Sequence, residues 1–202
     1  MKSDTSPPLR LGILGSGRGS NFVALYDAIH AGKVNATIQL VATDLADAPI
    51  LSEAKNRNLR TYATPRSQFK TKLETEIETE LAEQLIEAGV ELVVLAGFMR
   101  VVKSPLLEAF PSRIINVHPS LLPKFKGLEA WKQALLAGEK ESGCSVHWVN
   151  EVLDGGSIIA QQKVPILEDD TPESLHQRIQ VQEHQLLPEV IQQMAMGKIN
   201  LA

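Results

Sequence analysis

The sequence predicts an α/β fold: a Rossmann-like, mostly parallel sheet flanked by helices, with an antiparallel C-terminal extension. Three observations lead there. Short apolar runs alternate with amphipathic stretches through the first half, the pattern of β-α units stacked on a parallel sheet. A glycine cluster, Gly15, Gly17 and Gly19, stands between the first apolar run and the first helical stretch. Late in the chain two apolar runs lie close together around Asp154-Gly155-Gly156, a spacing that suits an antiparallel hairpin better than another crossover.

Taken in order, residues 9–14 read as a buried strand ending at the glycines, and residues 20–31 as a helix stopped by Gly32. Residues 37–42 form a second strand, 46–56 a helix and 60–63 a short third strand. The longest helix is expected over 67–88. There Leu73, Ile77, Leu81 and Leu85 recur at steps of four, and Gly89 ends it. Residues 91–95 make a fourth strand, a continuous apolar run as expected when both faces are buried. Residues 113–117 make a fifth, leading into His118 and Pro119. A helix over 128–137 precedes strands over 144–149 and 157–164. The last helix starts with Thr171 as N-cap and Pro172 in the first turn, and continues to about residue 196, with Pro188 expected to kink or interrupt it. No repeat or linker divides the chain. It reads as a single domain, 1–202, whose 9–110 half carries a phosphate-binding loop and whose 111–202 half carries the catalytic residues.

Composition narrows the function classes. An apolar share of 44% with 22% charged residues is ordinary for a globular protein. A formal charge of −4 argues against nucleic acid as a partner, which usually calls for a basic excess. The single Cys144 excludes a disulfide framework and a multi-cysteine metal site, and fits a reducing, cytoplasmic setting. No run approaches the roughly 18–20 apolar residues of a membrane span, and the N-terminus lacks a signal-peptide core. Residues 1–8 are expected to be a flexible lead-in.

The segment Gly15-Ser16-Gly17-Arg18-Gly19-Ser20-Asn21 is the first functional candidate. Glycines between a strand and a helix let backbone amides approach an anion, and the helix dipole favours negative charge there. A tight turn without a ligand is the plain alternative. A dinucleotide site is the other competitor, with Asp44 placed to mimic its ribose-binding acid. The spacing Gly15-x-Gly17-x-x-Ser20 lacks the third glycine or alanine of that fingerprint, however. Ser20 and Asn21 add side-chain donors, so a phosphomonoester suits the loop better.

Asn116 and His118 lie two apart at a strand end, so their side chains emerge on one side, at the sheet edge where open α/β folds bind ligands. Pro119 stiffens the exit. Taken alone, a structural Asn–His turn explains them equally well, and Asp154 before two glycines is an everyday turn. Their neighbours make them specific. Asn116-Val117-His118-Pro119-Ser120-Leu121-Leu122-Pro123 resembles the signature of the folate-dependent formyltransferases. Gly97-Phe98-Met99-Arg100 is similar to the loop after the fourth strand in that family, and Ser145-Val146-His147 followed by Leu153-Asp154-Gly155-Gly156 to a third block. The likeness runs from Leu11 to about Ile191. Ser16 to Asn21, together with Gln182-Glu183-His184, resemble the glycinamide ribonucleotide branch. Cys144 and Lys126, the latter at a position that can be proline in relatives, are minor departures.

The resemblance implies transfer of a formyl group from 10-formyltetrahydrofolate, as co-substrate, to the amine of 5'-phosphoribosylglycinamide in purine biosynthesis. It implies Asn116, His118 and Asp154 as the catalytic set. Gly19, Ser20 and Asn21 would hold the ribonucleotide phosphate, and Glu183 its ribose or glycinamide end. Met99, Arg100, Val101 and Val102, with Asn116, would line the folate pocket, largely through backbone groups, and residues 151–154 the facing wall. An amide from Asn116 and a protonated His118 suit a developing oxyanion. Asp154 would favour the imidazolium and assist proton transfer. Monomer and dimer are both compatible with this.

Rival readings remain defined. A 10-formyltetrahydrofolate deformylase uses a similar set with water as acceptor, and a methionyl-tRNA formyltransferase adds an RNA-binding domain. Each is expected to carry a further domain beyond the span from Leu9 to Ala202. A nucleotide-binding regulator with an unused catalytic set is the non-enzyme alternative. Cys144 is read as a buried, inert thiol on the opposite face from His147, and His147 as structural support. His176 and His184 lack a third metal ligand, and the acidic run over 74–87 is read as the solvated face of a helix.

Overall fold

A computed structural model describes residues 7–201, so most of the expected lead-in, residues 1–6, lies outside the described residues. The elements are β1 (Leu9–Leu14), α1 (Ser20–His30), β2 (Ala36–Thr43), α2 (Pro49–Lys55), β3 (Thr61–Ala63), α3 (Thr75–Glu87), β4 (Leu92–Leu95), α4 (Ser104–Ala109), β5 (Ile114–His118), α5 (Ala130–Leu136), β6 (Glu141–Trp148), β7 (Ile158–Pro165) and α6 (Pro172–Ala195). They build one seven-stranded sheet in the order β3-β2-β1-β4-β5-β6-β7. The strands from β3 to β5 pair in parallel. β6 then joins β5, and β7 joins β6, both antiparallel. The predicted mixed sheet and its C-terminal hairpin are therefore present.

Strand alternation assigns the two faces. In β4, Leu92 and Val94 join a core with Leu11, Ile13, Phe22, Leu25, Ile179, Leu187 and Ile191, which packs α1 and α6. Val93 and Leu95 join the opposite core with Leu40, Leu81, Leu85, Leu106 and Phe110, which packs α3 and α4. This is the period-two geometry of a strand buried on both sides. Gly12 of β1 lets α3 approach closely, since a Cβ there would lie 2.5 Å from Leu85 Cδ2.

Some expectations are corrected. The helix expected over 67–88 begins only at Thr75, and the 24-residue α6 is longer than it. Ahead of it, Phe69 N donates to Ser67 Oγ and Gln68 N to Glu74 Oε1, and such side-chain bonds compete with helical ones. Leu73 is buried from this irregular strap rather than from a helix. The six-residue α4 has too short a pattern to have been read. Pro188 does not interrupt α6, whose buried Leu186, Leu187, Val190 and Ile191 hold it to the sheet on both sides of the proline. Thr171 caps that helix in a capping box with Ser174. The acidic run is not wholly solvated: Glu78 is 2% exposed and accepts a bond from Lys103 N at 2.7 Å, and burial raises its pKa.

Candidate active site

The loop after β1 meets the sheet edge at its carboxyl end. Gly19 is the N-cap of α1 at φ 76°, a left-handed conformation in which a Cβ would lie 2.7 Å from Ile50 Cγ1. No side chain caps α1, so the protein leaves the amides of its first turn unclaimed by a cap. Gly17 and Arg18 are exposed, whereas Asn21 is buried. Asn21 Nδ2 donates to Glu183 Oε2 at 2.9 Å, which brings α6 against the start of α1. Glu183 is 5% exposed, and its burial raises the carboxyl pKa. Gly19, Ser20, Asn21 and Glu183, far apart in sequence, thus meet in one place.

The second group sits on β5 and β6. Ile115 and Val117 point into the α1/α6 core, so Asn116 and His118 face the other way. Antiparallel pairing sets Asn116 opposite His147 and His118 opposite Ser145. Cys144 and Val146 belong to the α1/α6 core, so Cys144 does point away from His147. The Cys144 thiol is fully buried, and desolvation, followed by the nearby Glu183 carboxyl, pushes its pKa up to about 12. Asp154 reaches the cluster from the β6–β7 connection, in a left-handed conformation at φ 46°.

Hydrogen bonding gives each group a defined state. His147 Nδ1 lies 2.8 Å from the Trp148 carbonyl, which only accepts, so this nitrogen carries the proton. Nε2 is then a lone pair, and it accepts from Asn116 Nδ2 at 3.1 Å. Burial lowers the His147 pKa, in keeping with a neutral ring. His147 therefore does more than support the sheet: it orients the Asn116 amide. The same Nδ2 faces Asp154 Oδ1 at 3.5 Å, a weak contact that leaves its second hydrogen available.

His118, 5% exposed, sits between two acceptors. Its Nε2 donates to the Phe125 carbonyl at 2.9 Å, and its Nδ1 lies 3.6 Å from Asp154 Oδ2. Gly127 N donates to the same Oδ2 at 2.8 Å and anchors the carboxylate. Phe125 itself is held at φ 54°, a conformation rare for a bulky residue. Such backbone outliers concentrate at functional sites. The roles of Phe125 and Gly127 run through main-chain atoms and left no mark in the sequence beyond proximity to the motif.

The segment after β4 forms a neighbouring wall. Met99 is 57% exposed, Val101 half-buried and Val102 buried. The Arg100 guanidinium is committed elsewhere, to Asp44 Oδ2 at 2.6 Å and the Phe69 carbonyl at 2.5 Å. Only the backbone of Arg100 is left to line a pocket. Val152 and Leu153 are exposed, and a cleft of about 560 Å³ bordered by Leu107, Ser112, Trp148, Val149, Gly156 and Asn200 lies beside the start of the β6–β7 connection, at the amino end of β5. Asp44 is internally engaged as well, accepting from Ser16 Oγ at 2.5 Å, so it does not offer the ribose-binding acid of a dinucleotide site. Among the described residues no group of three His, Cys, Asp or Glu side chains is placed to hold a metal. No helix there is long and apolar enough to cross a membrane.

Comparison with known proteins identifies the family. The family model described as formyl transferase matches residues 9–191. The phosphoribosylglycinamide formyltransferase of Haemophilus influenzae is 38% identical over 192 residues, covering 95% of this chain and 90% of the relative. The trifunctional purine biosynthetic protein adenosine-3 of Drosophila pseudoobscura is 43% identical over 197 residues; the match covers 96% of this chain and 14% of that longer protein. A crystal structure of glycinamide ribonucleotide transformylase 1 from Symbiobacterium toebii superimposes with a TM-score of 0.91 at 42% identity, covering 97% of this chain and 92% of the other. By this match over most of its length and by these relatives, the chain belongs to the formyl transferase family, in its phosphoribosylglycinamide formyltransferase branch.

Proposed function

We propose that this chain transfers the formyl group of 10-formyltetrahydrofolate to the amine of 5'-phosphoribosylglycinamide, with Asn116, His118 and Asp154 as catalytic residues. The observation that carries the reading is the cluster locked by the β5–β6 register, where His147 aims the Asn116 amide and Asp154 faces His118. The first-turn amides of α1 with Gly19, Ser20 and Asn21 would take the phosphate, and Glu183 the ribose or glycinamide end. The backbone of Met99, Arg100, Val101 and Val102, with Asn116, would line the folate side. The two small molecules are the partners this reading requires, in a cytoplasmic setting.

In this reading the substrate amine attacks the formyl carbon, a new C–N bond forms, and the carbonyl electron pair moves onto oxygen. Asn116 Nδ2 has one hydrogen committed to His147 and lends the other to the oxyanion. His118 Nε2–H is committed to Phe125, so Nδ1–H is the donor that turns to the same oxygen, and Asp154 offsets the imidazolium charge. Each such donor contributes about 2.7–4 kcal/mol, or 10²–10³ in kcat. Collapse of the intermediate breaks the bond to the folate nitrogen, which keeps the electron pair and takes up a proton. The amine nitrogen loses one, and Asp154 assists that transfer.

The test is to follow release of the deformylated folate by absorbance, with and without the ribonucleotide. Turnover that requires the ribonucleotide, and falls by about 10²–10⁴-fold in Asp154→Asn, supports the reading. Asparagine tolerates the left-handed backbone at this position, so that variant should fold. Equal turnover without the ribonucleotide would make the chain a hydrolase, and ligand binding without turnover would make it a regulator.

A further inference from the structure

Between the loop after β1 and the wall after β4 lies a buried polar relay whose side chains are given no substrate contact in the reading above. Ser16 is 8% exposed and Asp44 is 5% exposed. Ser16 Oγ donates to Asp44 Oδ1 at 2.5 Å and accepts from Met99 N at 2.9 Å. Ser16 N donates to the Gly97 carbonyl at 3.0 Å. Asp44 Oδ2 holds Arg100 Nε at 2.6 Å, and Arg100 Nη1 reaches the Phe69 carbonyl at 2.5 Å. Val101 N donates to the Thr71 carbonyl at 2.8 Å, so the strap ahead of α3 is tied to the same wall. The sheet order explains the meeting: β2, β1 and β4 are adjacent, and the relay joins the loops at their carboxyl ends.

Every polar atom named here is engaged within the protein, and a charge pair this buried is costly to disturb. The Ser16 hydroxyl is the junction, with its one proton given to Asp44 and a lone pair to Met99. A ligand that fixes the loop over residues 17–21 also fixes Ser16, and through it the backbone of Met99 and Arg100. The second ligand then meets a wall whose ordering cost has already been met.

We propose that Ser16, Asp44 and Arg100 are positioning residues that couple the two substrate subsites, so that an occupied phosphate loop tightens the formyl-donor wall and the reverse. This rests on the function proposed above. The coupling must be reciprocal, because it is a free energy shared by two binding equilibria.

The experiment is calorimetric titration of tetrahydrofolate into the full chain, with and without saturating glycinamide ribonucleotide, for the wild type, Ser16→Ala and Asp44→Asn. In the wild type the ribonucleotide should tighten folate binding about fivefold or more. In Ser16→Ala that ratio should fall to about one, while each ligand alone still binds and the melting transition stays cooperative. A merely structural role would weaken both ligands and leave the ratio unchanged. Asp44→Asn leaves Arg100 without its counter-charge and tests the acidic arm, and Ser16→Ala stands by itself if that variant fails to fold. A wild-type ratio of one, or a ratio that survives in Ser16→Ala, overturns the coupling while leaving the site intact. A wild-type chain that binds neither ligand overturns the proposed function first, and the coupling with it.

Discussion

Replacing Glu183 with glutamine should make the protein more stable at neutral and alkaline pH while weakening the proposed ribonucleotide site. Glu183 is 5% exposed and its burial raises the carboxyl pKa above the ordinary 4.5, with the Asn21 bond opposing the shift. While the carboxylate is ionised, Asn21 must present its amide nitrogen, which it does at 2.9 Å, and Asn21 Oδ1 is then buried without a partner among the described residues. An unmet buried acceptor costs about 1–3 kcal/mol. The Glu183→Gln amide keeps an oxygen for Asn21 Nδ2 and brings an NH₂ for Asn21 Oδ1, so the expected gain is of that size. At about 2–4 °C per kcal/mol for a chain of this length, the melting temperature should rise by roughly 2–12 °C. The sign follows from linkage. A carboxyl with a raised folded pKa contributes stability that is fully present below its unfolded pKa and is lost as pH rises through the folded one. The gap between variant and wild type should therefore be small in acid, open above about pH 4.5, and level off once Glu183 is ionised in the folded state. Urea denaturation at several pH values measures it. On the functional side, the KM for the ribonucleotide should rise more than kcat falls. A variant less stable than wild type at pH 8, or a gap independent of pH, would refute the reasoning.

Gly19→Ala should destabilise the chain by about 1–3 kcal/mol, because its Cβ meets Ile50 at a positive φ, and should weaken ribonucleotide binding in the same assay. His147→Phe keeps a buried ring but removes the lone pair that holds Asn116 Nδ2; kcat should fall about tenfold to a hundredfold, with partial recovery in His147→Gln, which retains an acceptor. Cys144 should resist alkylation at pH 8 in the folded chain and react only on unfolding, as judged by mass spectrometry, since its thiol is fully buried with a pKa raised to about 12.

Much of this architecture was legible because burial on both faces writes itself into sequence. Residues 92–95 are apolar throughout since Leu92 and Val94 fill one core and Val93 and Leu95 the other. The β6–β7 hairpin was legible from spacing, and the α6 cap from Thr171 and Pro172. The strap ahead of α3 was not, because Leu73 keeps the helical step of four while Ser67 and Glu74 satisfy local amides in a non-helical way. Glu78 misled for a related reason: acidic spacing reports charge, and only the fold shows that one carboxyl is turned inward to hold Lys103 N. By resemblance Arg100 belongs to a pocket wall, yet its guanidinium answers to Asp44, a pairing across 56 positions that no local pattern announces.

The two histidines of the site show most sharply where sequence reading stops. Each lies on a strand, beside the same aspartate, and each is nearly fully buried. Their partners differ in kind. His118 donates Nε2–H to the Phe125 carbonyl, and its Nδ1 lies 3.6 Å from Asp154 Oδ2. His147 bonds an acceptor at Nδ1, the Trp148 carbonyl, and a donor at Nε2, the Asn116 amide, with Asp154 Oδ1 farther off at 3.7 Å, so a neutral ring with its proton on Nδ1 suits these bonds. Neutral His147 then fixes the amide that, in the proposed reaction, would meet the oxyanion, and His118 stands beside it against Asp154. Two of these four partners are main-chain oxygens, whose directions depend on the left-handed turn at Phe125 and on the exit from β6. The difference between the two rings is therefore set by backbone geometry, through the carbonyls of Phe125 and Trp148.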